Sequence, residues 1–119
     1  MKLICNSFIA GMIVTLTQAI VYSTKVEIDP STMLDILRHS ALNSTMYQTK
    51  GKAIIEGNFK PRFFVEHMLK DITLALQAAN AVGASMPGLE TAKGLFERAM
   101  KAGLAKSDYS AIVEVMKNS

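Results

Sequence analysis

A chain of 119 residues is one domain in length. Half of its residues are apolar and 19% are charged, which excludes a disordered chain; a net charge of +3 is too mild for a dedicated nucleic-acid binder, and no nucleic-acid partner is expected. The single cysteine, Cys5, excludes an intrachain disulfide and a multi-cysteine zinc site, and it fits a reducing, cytoplasmic compartment.

The chain opens with an uncharged run from Leu3 to Thr24, with Lys2 and Lys25 at its ends. Such a length could cross a bilayer, and Met1-Lys2 ahead of it imitates a secretory signal. Asn6, Ser7, Thr15, Thr17, Gln18 and Ser23 make it polar for a lipid-facing helix, so the expectation is a buried central helix over Lys2–Lys25 and no membrane partner. Asp29-Pro30 then provides an N-cap and a first-turn proline for a second helix, with Met33, Leu34, Ile36, Leu37 and Ala41 as its apolar face. Ser44 is placed to cap a third helix that reaches Ile55 and stops at Gly57. After a turn over Asn58 to Pro61, a fourth helix is expected from Phe63 to Val82, ended by Gly83. Its Val65, Met68, Leu69, Ile72, Leu76 and Ala79 keep helical spacing. Met86-Pro87 breaks the chain again, and Leu89, Ala92, Leu95, Phe96, Ala99 and Met100 line a fifth helix closed by Gly103. Asp108 is placed to cap a last helix that turns Ile112, Val115 and Met116 inward. No segment alternates long enough for a strand, so the fold class is all-α, a compact bundle of about six helices over residues 1–119.

The polar residues fall into short blocks. Lys2 and Asn6 stand four residues apart at the start of the long apolar helix, on one face of it. Phe63 is followed by Lys70-Asp71-Ile72-Thr73-Leu74-Ala75, and the chain ends with Ser85-Met86-Pro87, Gly103-Leu104 and Asp108-Tyr109-Ser110-Ala111. Taken singly, each block reads blandly: Lys2 and Asn6 as a helix-face pair, Phe63 as core, Lys70 and Asp71 as a solvated face facing Glu66 and His67 at helical spacing. His39 and His67 lie far apart and have no cysteine partners, so no metal is expected. Lys50, Lys52, Lys60 and Arg62 form a loose basic cluster, either solvated surface or an attractor for an anionic substrate or cofactor.

Together and in this order, the blocks resemble the C-terminal domain of the β-hydroxyacid dehydrogenases, over essentially the whole chain. That family includes 3-hydroxyisobutyrate dehydrogenase, tartronate semialdehyde reductase and the glyoxylate/succinic semialdehyde reductases. The resemblance implies the helical fold of the 6-phosphogluconate dehydrogenase C-terminal domain. It implies a cofactor, NAD or NADP, bound mainly by a Rossmann domain that this sequence lacks, and a small hydroxyacid or semialdehyde substrate. It also implies self-association through the helical domain. By resemblance Lys2 is the catalytic acid/base, Asn6 and Phe63 bind substrate, and Lys70 and Asp71 serve the cofactor side of the cleft. Hydride transfer to a carbonyl needs a proton donor for the oxygen, and the reverse reaction needs an acceptor, which suits a lysine beside an amide. Where the family pattern often has glycine, this chain has Glu27, which leads one to expect a different cap at the end of the first helix. With no strand leading into G-x-G-x-x-G, the expectation is an excised domain or gene fragment, inactive alone. The alternative is a non-catalytic helical dimerisation or scaffold module, because the long apolar helix would expose a large patch if left uncovered.

Overall fold

The computed structural model describes residues 1–117. These form α1 (Lys2–Lys25), α2 (Pro30–Arg38), α3 (Thr45–Ile55), α4 (Val65–Ala81), α5 (Pro87–Lys101), a 3-10 turn (Tyr109–Ile112) and α6 (Val113–Met116). The fold is therefore all-helical, as the sequence predicts; the β-type pairing seen among the described residues is one isolated antiparallel bridge between Phe64 and Asp108.

α1 is the axis of the domain and packs on every other element. Ala10, Ile13, Val14, Leu16, Thr17 and Ile20 recur at helical spacing and turn inward. The Thr17 hydroxyl donates to the Ile13 carbonyl at 2.8 Å, so this polar group enters the core already paired. Val65, Met68, Ile72 and Leu76 of α4 and Leu89, Ala92, Phe96 and Ala99 of α5 close on that face. Ile112 and Val113 seal its end with no exposed surface. Each buried Val, Leu, Ile, Met or Phe side chain among them contributes about 1.5–3 kcal/mol by leaving water.

The opposite face of α1 is open. Ile4, Phe8 and Tyr22 are 58%, 69% and 71% exposed. The expected buried central helix is thus central in packing and buried on one side only. By length and composition α1 is also apolar enough to cross a bilayer.

Several boundaries differ from expectation for local reasons. In α2 Leu34 is buried, but Ile36 is exposed and Ala41 lies beyond the helix end. Buried Gly51 on α3 lets α2 approach: a Cβ there would sit 2.7 Å from the methyl groups of Leu34. Helix α4 begins at Val65 and not at Phe63, because the backbone of Phe63 is engaged elsewhere; its carbonyl accepts from the Tyr109 amide at 2.8 Å. The last helix divides into a 3-10 turn and a short α6, with Ile112 buried and Val115 and Met116 half-buried.

The end of α1 corrects the expectation of a different cap. Glu27 adopts φ 61°. Its amide bonds the Thr24 carbonyl at 3.1 Å and the Ile28 amide bonds the Ser23 carbonyl at 2.8 Å. This is the Schellman pattern, which Gly83 supports at the end of α4 through Gly83 to Asn80 and Ala84 to Ala79. The glycine-type cap is kept, with a glutamate in the glycine's place.

Candidate functional site

The N-terminal end of α1 lies against α4, and this brings together residues far apart in sequence. Asn6 Nδ2 donates to Asp71 Oδ2 at 2.8 Å, and both side chains are half-buried. One hydrogen of the Asn6 amide is thereby committed, which sets the amide's orientation and leaves its carbonyl oxygen and second N–H for another partner. Lys2 stands one turn before Asn6 on the same face of α1, with its side chain exposed. Lys70 stands next to Asp71 on α4, also exposed, and no carboxylate pairs with it among the described residues.

Phe63 belongs to the segment entering α4. Its ring is half-buried, 6.0 Å from the His67 ring and 6.3 Å from that of Tyr109 between centroids. The helical-face pairs suggested by spacing do not form. Asp71 turns to Asn6, not to His67, and Glu66 pairs with Lys106 from the segment after α5. The His67 ring packs near those of both Phe63 and Phe64, 6.0 and 5.1 Å away between centroids. No group of three or more His, Cys, Asp or Glu that could hold a metal occurs among the described residues.

A second polar cluster, under the Phe63 segment, joins residues that the sequence offers only separately: Lys50 and Arg62 of the basic cluster, and Asp108, Tyr109 and Ser110 at the last cap. Asp108 is a buried carboxylate, 2% exposed at its side chain, and Lys50 Nζ reaches it at 2.9 Å. Asp108 also accepts from the amides of Arg62 and Phe63 at 3.0 and 3.3 Å and from the Ser110 hydroxyl at 2.6 Å. Burial alone would raise the Asp108 carboxyl; the Ser110 hydroxyl, the Lys50 ammonium and the amides of Arg62 and Ser110 outweigh it and hold it below its usual range. Burial, with the Asp108 charge beside it, pushes the Tyr109 hydroxyl up to about 12. The Lys50 ammonium lies 4.6 Å from the centre of the Tyr109 ring, a cation–π placement. Asp108 was legible as a cap, and it caps the 3-10 turn, but no spacing links it to Lys50.

Residues 1–116 match the family described as NAD-binding of NADP-dependent 3-hydroxyisobutyrate dehydrogenase. The chain belongs to this family. Among relatives of the 3-hydroxyisobutyrate dehydrogenase family, glyoxylate/succinic semialdehyde reductase 2 (chloroplastic) of Arabidopsis thaliana is 33% identical over 98% of this chain and 33% of its own length. Glyoxylate/succinic semialdehyde reductase 1 of the same plant is 33% identical over 100% of this chain and 41% of its own length. The crystal structure of 3-hydroxyisobutyrate dehydrogenase from Salmonella typhimurium superposes with a TM-score of 0.90 at 28% identity, over 96% of this chain and 40% of that one. The chain thus spans 33–41% of the length of these relatives. Oxidoreductase chemistry with NAD or NADP is the family's, and the helical architecture is shared with the 3-hydroxyisobutyrate dehydrogenase structure.

Proposed function

We propose that this chain is the substrate-binding and acid/base-supplying domain of an NAD(P)-dependent β-hydroxyacid dehydrogenase or semialdehyde reductase, inactive until joined to a nucleotide-binding domain. The observation that supports the reading is the Asn6–Asp71 hydrogen bond, which orients an amide one turn from Lys2 through a carboxylate that is the chain neighbour of Lys70. A solvated helix face has no use for a half-buried amide fixed by a carboxylate from another helix.

The bound dinucleotide supplies the hydride. The donor set of this chain suits it in part: the Lys70 ammonium, exposed and free of a carboxylate partner among the described residues, would meet an oxygen of the dinucleotide on the α4 side. Lys2 delivers the proton to the carbonyl oxygen of the substrate during reduction and takes it from the hydroxyl in the reverse direction. Asn6 offers its free N–H and its carbonyl oxygen to the substrate, and Asp71 keeps that amide from flipping. Phe63 gives the substrate side an apolar wall that excludes water.

The test is reconstitution. The chain is joined to the nucleotide-binding portion of one of the Arabidopsis reductases, and NAD(P)H oxidation is followed with glyoxylate and succinic semialdehyde, and the reverse reaction with 3-hydroxyisobutyrate. Turnover is expected in the joined protein, and Lys2→Ala should lower kcat by about a hundred- to ten-thousand-fold. Full turnover in Lys2→Ala would remove the role given to that lysine.

A second reading has its own observation. The exposed Ile4, Phe8 and Tyr22 on α1 suit a helical dimerisation or scaffold module, with a second copy of the chain as partner. The two readings are compatible, since an enzyme domain can also carry the subunit contact.

A further inference from the structure

We propose that the cleft between α3 and the segment 58–62 binds a small ligand carrying two or more negative charges on oxygen, a phosphate ester or a di- or tricarboxylate. The cleft measures about 760 Å3, ample for such a molecule. Lys50, Lys52 and Glu56 line it from α3, Lys60 and Arg62 from the facing segment, and Asp108 from beneath. None of these is Lys2, Asn6, Phe63, Lys70 or Asp71, so the inference stands apart from the dehydrogenase reading.

The charge balance favours an anion. Lys50 and Asp108 neutralise each other at 2.9 Å, and the carboxylate is fully occupied by its other donors. That leaves Lys52, Lys60 and Arg62 against Glu56, and none of the four has an ion-pair partner among the described residues. Three positive charges facing one carboxylate leave a positive excess in the cleft, and an anion entering it relieves the repulsion among them. Arg62 adds a planar fork suited to two oxygens at once, and the lysines add point charges.

The basic wall is also set in advance. The Lys60 amide donates to Asn58 Oδ1 at 3.1 Å, Pro61 fixes its own φ, and the Arg62 amide is held by Asp108 at 3.0 Å. The backbone carrying Lys60 and Arg62 is therefore ordered before any ligand arrives, which lowers the entropy lost on binding.

The 119-residue protein is titrated with sodium pyrophosphate and, separately, with sodium citrate at constant ionic strength, following backbone amide NMR shifts and Tm against sodium chloride. Saturable shifts confined to residues 49–62 and 108 are expected, with a Tm that rises with anion concentration beyond the chloride reference. Tighter saturation by pyrophosphate assigns a phosphate ligand; tighter saturation by citrate assigns a carboxylate. Lys60→Ala and Arg62→Ala, both exposed and compatible with folding, should each weaken binding about tenfold, the loss of one charge-assisted hydrogen bond. Lys101→Ala, on α5, should leave it unchanged. Failure of both anions to saturate, or equal binding in the Lys60→Ala/Arg62→Ala double variant, would overturn the proposal.

Discussion

Glu27 holds a backbone conformation that side chains with a Cβ resist, at φ 61°. It also sets a negative charge at the negative end of the α1 dipole. Both effects disappear in Glu27→Gly, which keeps the same two capping hydrogen bonds. The variant should be more stable by about 0.5–1 kcal/mol in denaturant unfolding. An unchanged or lowered midpoint would mean that the strain is relieved elsewhere. Caps were the most legible residues in the sequence. Asp29, Ser44 and Asp108 each accept from the amide expected of a cap, because that chemistry is settled within three residues. Glu27 is opaque for the converse reason: a glutamate gives no local signal for a left-handed turn, and only the surrounding packing imposes it.

Between elements, the Lys50–Asp108 pair acts as a rivet. It joins α3 to the 3-10 turn and, through the amides of Arg62 and Phe63, to the entry of α4. Asp108→Asn would leave the Lys50 ammonium, 12% exposed, without its counter-charge. A loss of about 3 kcal/mol is expected in urea unfolding at neutral pH. The acid limb has a definite sign. The folded carboxyl lies below the ordinary value of 3.8, so its contribution is fully present above that value and is lost as pH falls through the lower folded value. Wild-type stability should therefore fall below about pH 4 more steeply than that of Asp108→Asn. Parallel acid limbs would contradict the role given to Asp108. This rivet was invisible in the sequence because its partners are 58 residues apart and no periodicity relates them. The same distance problem displaced the start of α4: helical spacing runs on through Phe63, but Asp108 and Tyr109 claim that residue's backbone. The Asn6–Asp71 contact spans 65 residues. Both residues were singled out through family resemblance, in separate roles, and their pairing comes from the packing of α1 on α4.

For the whole molecule, the open face of α1 is the largest departure from a closed bundle. Ile4, Phe8 and Tyr22 lie in water along one side of the helix that organises everything else. If that face meets a second copy of the chain, light scattering behind size exclusion should give a mass that rises with concentration, and Phe8→Glu should return it to the monomer. A monomer at high concentration would remove the dimerisation reading and leave a portion matching the rest of the relatives' length as the candidate cover. The helical class and the length of α1 were legible because a long run without charge can hardly be anything else. Which side of it would be covered was not, because the run is apolar nearly all round and carries no polar stripe to mark the outside.

The position of α1 at the centre also fixes an order of events during synthesis. Of these elements α1 is made first, and Tyr109–Met116, which close one end of its core face, are made last. Until the ribosome has released Tyr109–Met116, the most apolar helix of this domain has an incomplete shelter. The growing chain is therefore most exposed to chaperones and to aggregation in the interval just before the 3-10 turn emerges.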